Sequence, residues 1–165
     1  MVKWLRESKV SSAIMVLFRL YIGYTFLMAG WHKITGGFDA SGYLKGAIAK
    51  ATGENPTVQA WWATFLEGFA LPNVEIFNFL VAWGEFLVGI ALILGIFTTF
   101  AALMGITMNF AFLFSGTISS NPQMVLITIF ILVAGANAGR YGLDRWVLPY
   151  VRKVFNKEAQ KPVVN

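Results

Sequence analysis

The sequence predicts an all-α integral membrane protein: a four-helix bundle with an external amphipathic helix between its first and second spans. Three observations lead there. Of the 165 residues, 57% are hydrophobic and only 13% charged, where a soluble domain carries about 25% charged residues. The apolar stretches are long enough to cross a hydrocarbon core of ~30 Å at ~1.5 Å rise per residue. Finally, the cations gather at the two ends of the chain. Lys3, Arg6 and Lys9 precede the first apolar stretch, and Arg140, Arg145, Arg152, Lys153, Lys157 and Lys161 follow the last. The segment from Lys33 to Glu75 holds three cations and four anions. Under the positive-inside rule this distribution predicts a multi-pass protein of the plasma membrane with both termini cytoplasmic. The net charge of +5 therefore reflects membrane topology rather than nucleic-acid binding.

The elements follow in order. The first span runs from about Ser12 to Trp31. It is too long for a secretory signal and lacks a cleavage site, so it reads as a retained helix. Residues 33–73 form an external insert too long to be a simple connection. Within it, Asn55-Pro56 reads as an N-cap with proline at the first helical position. Val58, Trp61, Trp62, Phe65, Leu66 and Phe69 then recur at helical spacing on one face, up to Gly68 and Pro72. Two tryptophans on such a helix suit the headgroup layer or the outer end of the bundle. Ser41–Gly53 is a second short helix. The apolar stretch 74–114 is too long for one crossing, and the turn at Gly95–Thr99 divides it into spans of roughly 74–96 and 100–116. Ser119–Pro122 is a loop, and the fourth span runs from about Gln123 to Gly139. The chain thus reads as one domain over residues 1–156, with a flexible cytoplasmic tail at 157–165.

Four polar residues interrupt the spans: Arg19, Glu85, Asn109 and Asn137. Counting ~1.5 Å per residue from the span edges puts Arg19 about 10 Å from the inner boundary and Glu85 about 16 Å below the outer one. An ionised residue at mid-membrane costs roughly 2.5–3.5 kcal/mol on insertion scales, so buried charges are expected to pair. Arg19 and Glu85 are the only charges inside spans, and the sequence predicts that they pair across the bundle. Such a pair fixes helix register, or it lines a polar pocket that holds an anion or relays a proton. Arg19, Gly23, Phe26, Gly30 and Lys33 share one face of span one; Asn78, Glu85 and Leu92 share one face of span two. The glycines on these faces, like Gly135-x-x-x-Gly139, suit close helix packing. His32 points away from the Arg19 face and reads as an interfacial anchor or an anion contact. Asn137, Arg140 and Asp144 share a face at the end of span four, where an Arg140–Asp144 pair caps the helix.

With no cysteine and one histidine, thiol relays, iron–sulfur clusters, a multi-histidine haem and a zinc site are excluded. Arg19, Gly23 and Gly30-Trp31-His32-Lys33 resemble the first-span signature of the DoxX/DoxD membrane family. Gly84-Glu85, Gly89, Leu94-Gly95 and Thr98 resemble its second span, and Ala134-Gly135 through Gly139-Arg140 and Leu143-Asp144 its closing motif. The long insert is more similar to the DoxD-type members. The resemblance implies a four-helix membrane protein, and in some relatives a thiosulfate:quinone oxidoreductase that joins two thiosulfates into tetrathionate and passes two electrons to quinone.

On that implication Glu85 and Arg19 are the candidate catalytic pair. Lys33, His32, Arg19, Asn78 and Asn109 are candidates for the thiosulfate site, and Trp31, Trp61 and Trp62 for the quinone slot. Quinone is the electron acceptor, with no metal or haem. Without cysteine, electrons pass from thiosulfate to quinone directly or through a partner subunit. The alternative is a non-catalytic anchor, or an anion-binding or transport subunit for a redox partner. A homo-oligomer is compatible with either.

Overall fold

The computed structural model describes residues 1–159, with side chains through Lys153. Its described residues are helical, joined by turns, with no strand. Helix α1 (Val2–Glu7) is short and was not expected from the sequence. Ser8, in extended conformation, separates it from α2 (Lys9–Gly36), and its hydroxyl accepts from the amides of Val10 and Ser11. Asn137 ties this corner down: its Nδ2 donates to the carbonyls of Leu5 and Ser8 at 2.8 and 2.9 Å. Those carbonyls lie at the C-terminal end of α1, where a helix leaves its acceptors unsatisfied. Helix α2 ends at Gly37, whose φ of 71° is left-handed.

The insert holds α3 (Ser41–Ala49) and α4 (Ala60–Phe65), the latter continuing into a π turn at Leu66–Ala70. Two details differ from the sequence reading. Helix α4 begins at Ala60, not at Pro56, because the amides of Thr57 and Val58 both donate to the Lys50 carbonyl and fold the chain back first. The inward face is also different. Val58, Ala63, Leu66 and Ala70 are buried, while Trp61 and Phe69 are more than half exposed. The wider π turn adds a residue to the helical repeat and so shifts the apolar spacing. The insert has its own small core of Ala40, Leu44, Ala47, Leu66 and Ala70, packed against Trp62, Val74 and Phe77.

Then come α5 (Val74–Leu94), α6 (Thr98–Phe114), and α7 (Asn121–Ala134), which passes into a 3₁₀ turn at Gly135–Gly139. Helix α8 (Asp144–Ala159) closes the described chain. It takes in residues 157–159 of the expected tail; residues 160–165 lie outside the described residues. Helices α2 and α5, and the unit made by α7 and its 3₁₀ turn, are long and apolar enough to cross a membrane; α6 is apolar but shorter. Helix α2 packs against α5 and α7, and α6 packs against the same two. The shared core centres on Met15, Ile22, Phe26, Leu92, Ala102 and Ile131.

The closest packing joins α2 to α5. A Cβ on Gly89 would meet the backbone of Leu27, and one on Gly30 the backbone of Phe86 and Ala82. Helices packed backbone to backbone cannot slide past each other, so these glycines set their register.

Candidate functional site

That register decides which charges meet. Gly30 lies against Ala82 and Phe86, so Lys33, one turn further along α2, reaches Glu85 on α5. The Lys33 ammonium donates to Glu85 Oε2 at 2.6 Å. This overturns the expected Arg19–Glu85 pair. Arg19 sits on α2 about 21 Å from Lys33 along the axis at ~1.5 Å per residue, in the N-terminal half of the helix. Counting depth from the span edges erred because α2 starts at Lys9 and ends at Gly36, well beyond the apolar stretch, and because glycine contacts rather than span edges align α2 with α5. The face assignment on α2 holds: Arg19, Gly23, Phe26 and Gly30 are all buried and Lys33 is half-buried.

The pair forms the polar end of a cavity of about 350 Å³. Helix α3 contributes Tyr43 and Leu44, α4 contributes Trp62, and Phe77 and Phe112 close two further sides. Trp62 Nε1 donates to Ser115 Oγ at 2.9 Å, and Ser115 Oγ donates to the Ala111 carbonyl at 2.8 Å. This chain fixes the indole against the end of α6. Thr117, Ser119 and Ser120 in the α6–α7 connection, with Asn121 at the start of α7, give the cavity a polar side. Lys33 Nζ also lies 5.5 Å from the Phe38 ring centroid. The result is an aromatic chamber with one hydrogen-bonded ion pair at one end. An ammonium has three N–H donors, and the contact to Glu85 uses one. The chamber suits a flat, largely apolar molecule bearing a carbonyl or hydroxyl oxygen.

The other expected site residues disperse. Trp62 lines the chamber, but Trp31 is exposed and packs on Phe86. Trp61 is exposed too, stacked edge-on against Trp62 and Phe114. His32 is exposed, on a shallow surface depression beside Ala29. Asn78 Oδ1 accepts from the Ala40 amide at 2.7 Å and anchors the start of α3. Asn109 is buried, and neither its Oδ1 nor its Nδ2 has a hydrogen-bond partner. Tyr43, Phe77, Phe112 and Ser115 belong to the chamber but were missed. Each reads as an ordinary apolar or loop residue, and only the folding of α3 over the α5–α6 end brings them together.

In the N-terminal half of α2, Arg19 is 1% exposed, and its Nε and Nη1 find no hydrogen-bond partner among the described residues. Its guanidinium lies against Gly95 and Gly142, where a Cβ would collide with it. Asp144 accepts from the amides of Phe97 (2.6 Å) and Thr98 (2.9 Å), capping α6. The amides of Leu143 and Asp144 return bonds to the carbonyls of Leu94 and Gly95 at the end of α5. Asp144 thus joins the α5–α6 turn to the segment before α8. It does not pair with Arg140, whose Nη1 donates instead to the Glu7 carbonyl at 3.4 Å. The expected Arg140–Asp144 pair fails because the amides at the start of α6 claim both carboxylate oxygens.

The family model described as DoxX matches residues 14–117. That range runs from α2 through α6 and takes in both members of the ion pair, the whole insert and Arg19. It stops short of the closing motif at Ala134–Asp144. No curated protein and no solved structure matches the chain.

Proposed function

The chain belongs to the DoxX family of membrane proteins, and from that premise we propose that it is a membrane oxidoreductase whose Lys33–Glu85 chamber receives a quinone. The observation that supports this is the hydrogen-bonded ion pair at one end of a cavity with aromatic walls and one polar side. A quinone ring fits such walls. Lys33 donates a hydrogen bond to a ring oxygen and stabilises the negative charge that reduction builds there. Glu85, ionised in the pair, takes up protons from water and relays them to the reduced ring.

Thiosulfate is the electron donor in this proposal. Two thiosulfates and one quinone take up two protons and yield one tetrathionate and one quinol. The donor approaches from water, where Lys50, bonded to the Gly116 carbonyl beside the chamber, provides a cation. Four crossings put both termini on the cytoplasmic side and the chamber near the outer one.

A second reading has its own support. Glu85 already neutralises Lys33, which leaves the chamber without surplus charge for a dianion. A non-catalytic quinone or small-molecule binder serving a redox partner would need none.

One preparation separates the two. Purified protein in proteoliposomes is supplied with thiosulfate and a water-soluble quinone analogue, and quinol formation is followed optically. Turnover that Glu85→Gln lowers at least tenfold, about 1.4 kcal/mol in the barrier, supports the oxidoreductase. Quinone binding without turnover supports the binder, and neither binding nor turnover removes both.

A further inference from the structure

At the opposite end of the molecule from the chamber, a second concavity of about 630 Å³ opens between α1, the Gly135–Gly139 turn and α8. Five cations line it: Arg6 and Lys9 from the N-terminal segment, Arg140 from the turn, and Arg145 and Arg152 from α8. The acid in its lining is Asp144, and both carboxylate oxygens of Asp144 are held by the amides of Phe97 and Thr98. Among the described residues the ion pair within bonding distance is Lys33–Glu85, so none of the five cations is matched by a carboxylate. Two are held in position by backbone: Arg6 Nε donates to the Val133 carbonyl at 3.1 Å, and Arg140 to that of Glu7.

Charge asymmetry across a membrane protein needs cations near the ends of its spans. It does not need cations from three separate segments to converge on one hollow, where they repel one another. Such a hollow is stabilised by a bound anion. Its depth says which kind. Trp4, Tyr141, Trp146 and Tyr150 surround this end of the helices and are all about half exposed or more. Tryptophan and tyrosine with that placement lie at the headgroup level of a bilayer. Arg145 also lies over the Trp146 ring at 5.9 Å.

We infer that the cleft formed by Arg6, Lys9, Arg140, Arg145 and Arg152 binds the phosphate of an anionic phospholipid headgroup. Forked guanidinium groups suit phosphate oxygens, and the acyl chains of such a lipid lie along the apolar helices beside the cleft. The site is independent of the quinone chamber.

The test uses delipidated full-length protein in a neutral detergent at fixed ionic strength, with thermal unfolding as the readout. Short-chain phosphatidylglycerol, short-chain phosphatidylcholine and inorganic phosphate are titrated separately. Phosphatidylglycerol should raise Tm saturably, while phosphatidylcholine and inorganic phosphate should not. The double variant Arg145→Gln/Arg152→Gln should need roughly thirtyfold more phosphatidylglycerol for half the effect, as loss of two headgroup-level cations implies. The double variant Lys3→Gln/Lys153→Gln removes two exposed cations outside the cleft and should behave as wild type. An equal loss in both variants would make the effect general surface attraction and overturn the site. An equal rise with inorganic phosphate would overturn the lipid assignment in favour of a soluble phosphate ligand.

Discussion

Glu85 and Lys33 test the account at the scale of single residues. Removing one partner of a buried pair strands the other charge, whereas removing both strands none. Glu85→Met alone should therefore destabilise the protein by about 1–3 kcal/mol, below the ~3–5 kcal/mol of a fully buried pair because Lys33 is partly solvated. Lys33→Met/Glu85→Met should recover at least half of that loss. Denaturant unfolding of both variants in the same detergent measures it, and strict additivity would mean that the two side chains do not interact. Arg19 makes a different expectation. Its guanidinium lies against Gly95 and Gly142, so Gly142→Ala should lower Tm by several degrees, and Arg19→Ala should relieve only part of that loss, because a Cβ on Gly142 also meets the Gly95 backbone. The sequence showed that Arg19 must be buried and on which face of α2, because that follows from helical period and local charge cost. It did not show the partner of Glu85. That partner depends on where two helices fifty residues apart touch, and the touching is set by Gly30 and Gly89 rather than by any property of the charged residues.

At the scale of elements, the caps decide how α5, α6 and α8 meet. Asp144 supplies two hydrogen bonds to the first amides of α6, groups that a helix cannot satisfy internally. Asp144→Ala should cost about 1–3 kcal/mol, the penalty for stranded buried donors. Asp144→Asn should cost less, since its amide oxygen still accepts one bond; equal losses would mean that the cap is not what the carboxylate contributes. The apolar helices were legible from hydropathy, and the α5–α6 turn was legible from Gly95, whose φ of 65° suits glycine. The insert was legible only in outline. Its helices follow from periodicity, but the fold-back of Thr57 and Val58 onto Lys50 replaces the start signal at Asn55-Pro56, and the π turn moves the buried position from Phe69 to Ala70. Trp62 and Trp61 consequently differ in role. Trp62→Leu should weaken quinone binding because it opens the chamber wall and frees Ser115, while Trp61→Leu should leave binding within about twofold of wild type; the same ligand titration on both variants checks this.

At the scale of the whole molecule, the two ends differ in chemistry: a chamber with aromatic walls and an ion pair at one, a cleft lined by five cations and Asp144 at the other. Composition and charge placement made the membrane class legible, but not the chamber, whose walls come from α3, α4, α5 and α6 together. The topology is directly accessible, because the chain has no native cysteine. Single cysteines at Lys50 and Lys3 should react with an impermeant maleimide from opposite sides of sealed vesicles, and labelling from one side would refute the four-crossing arrangement. The central claim is that quinone sits against Lys33 and Glu85. Titration of a water-soluble quinone analogue into wild type and into Lys33→Met/Glu85→Met, which strands no charge, tests it most directly. Wild-type binding should be saturable and should weaken roughly tenfold in the double variant, the loss of one or two charge-assisted hydrogen bonds. Equal affinity in the two proteins would contradict it.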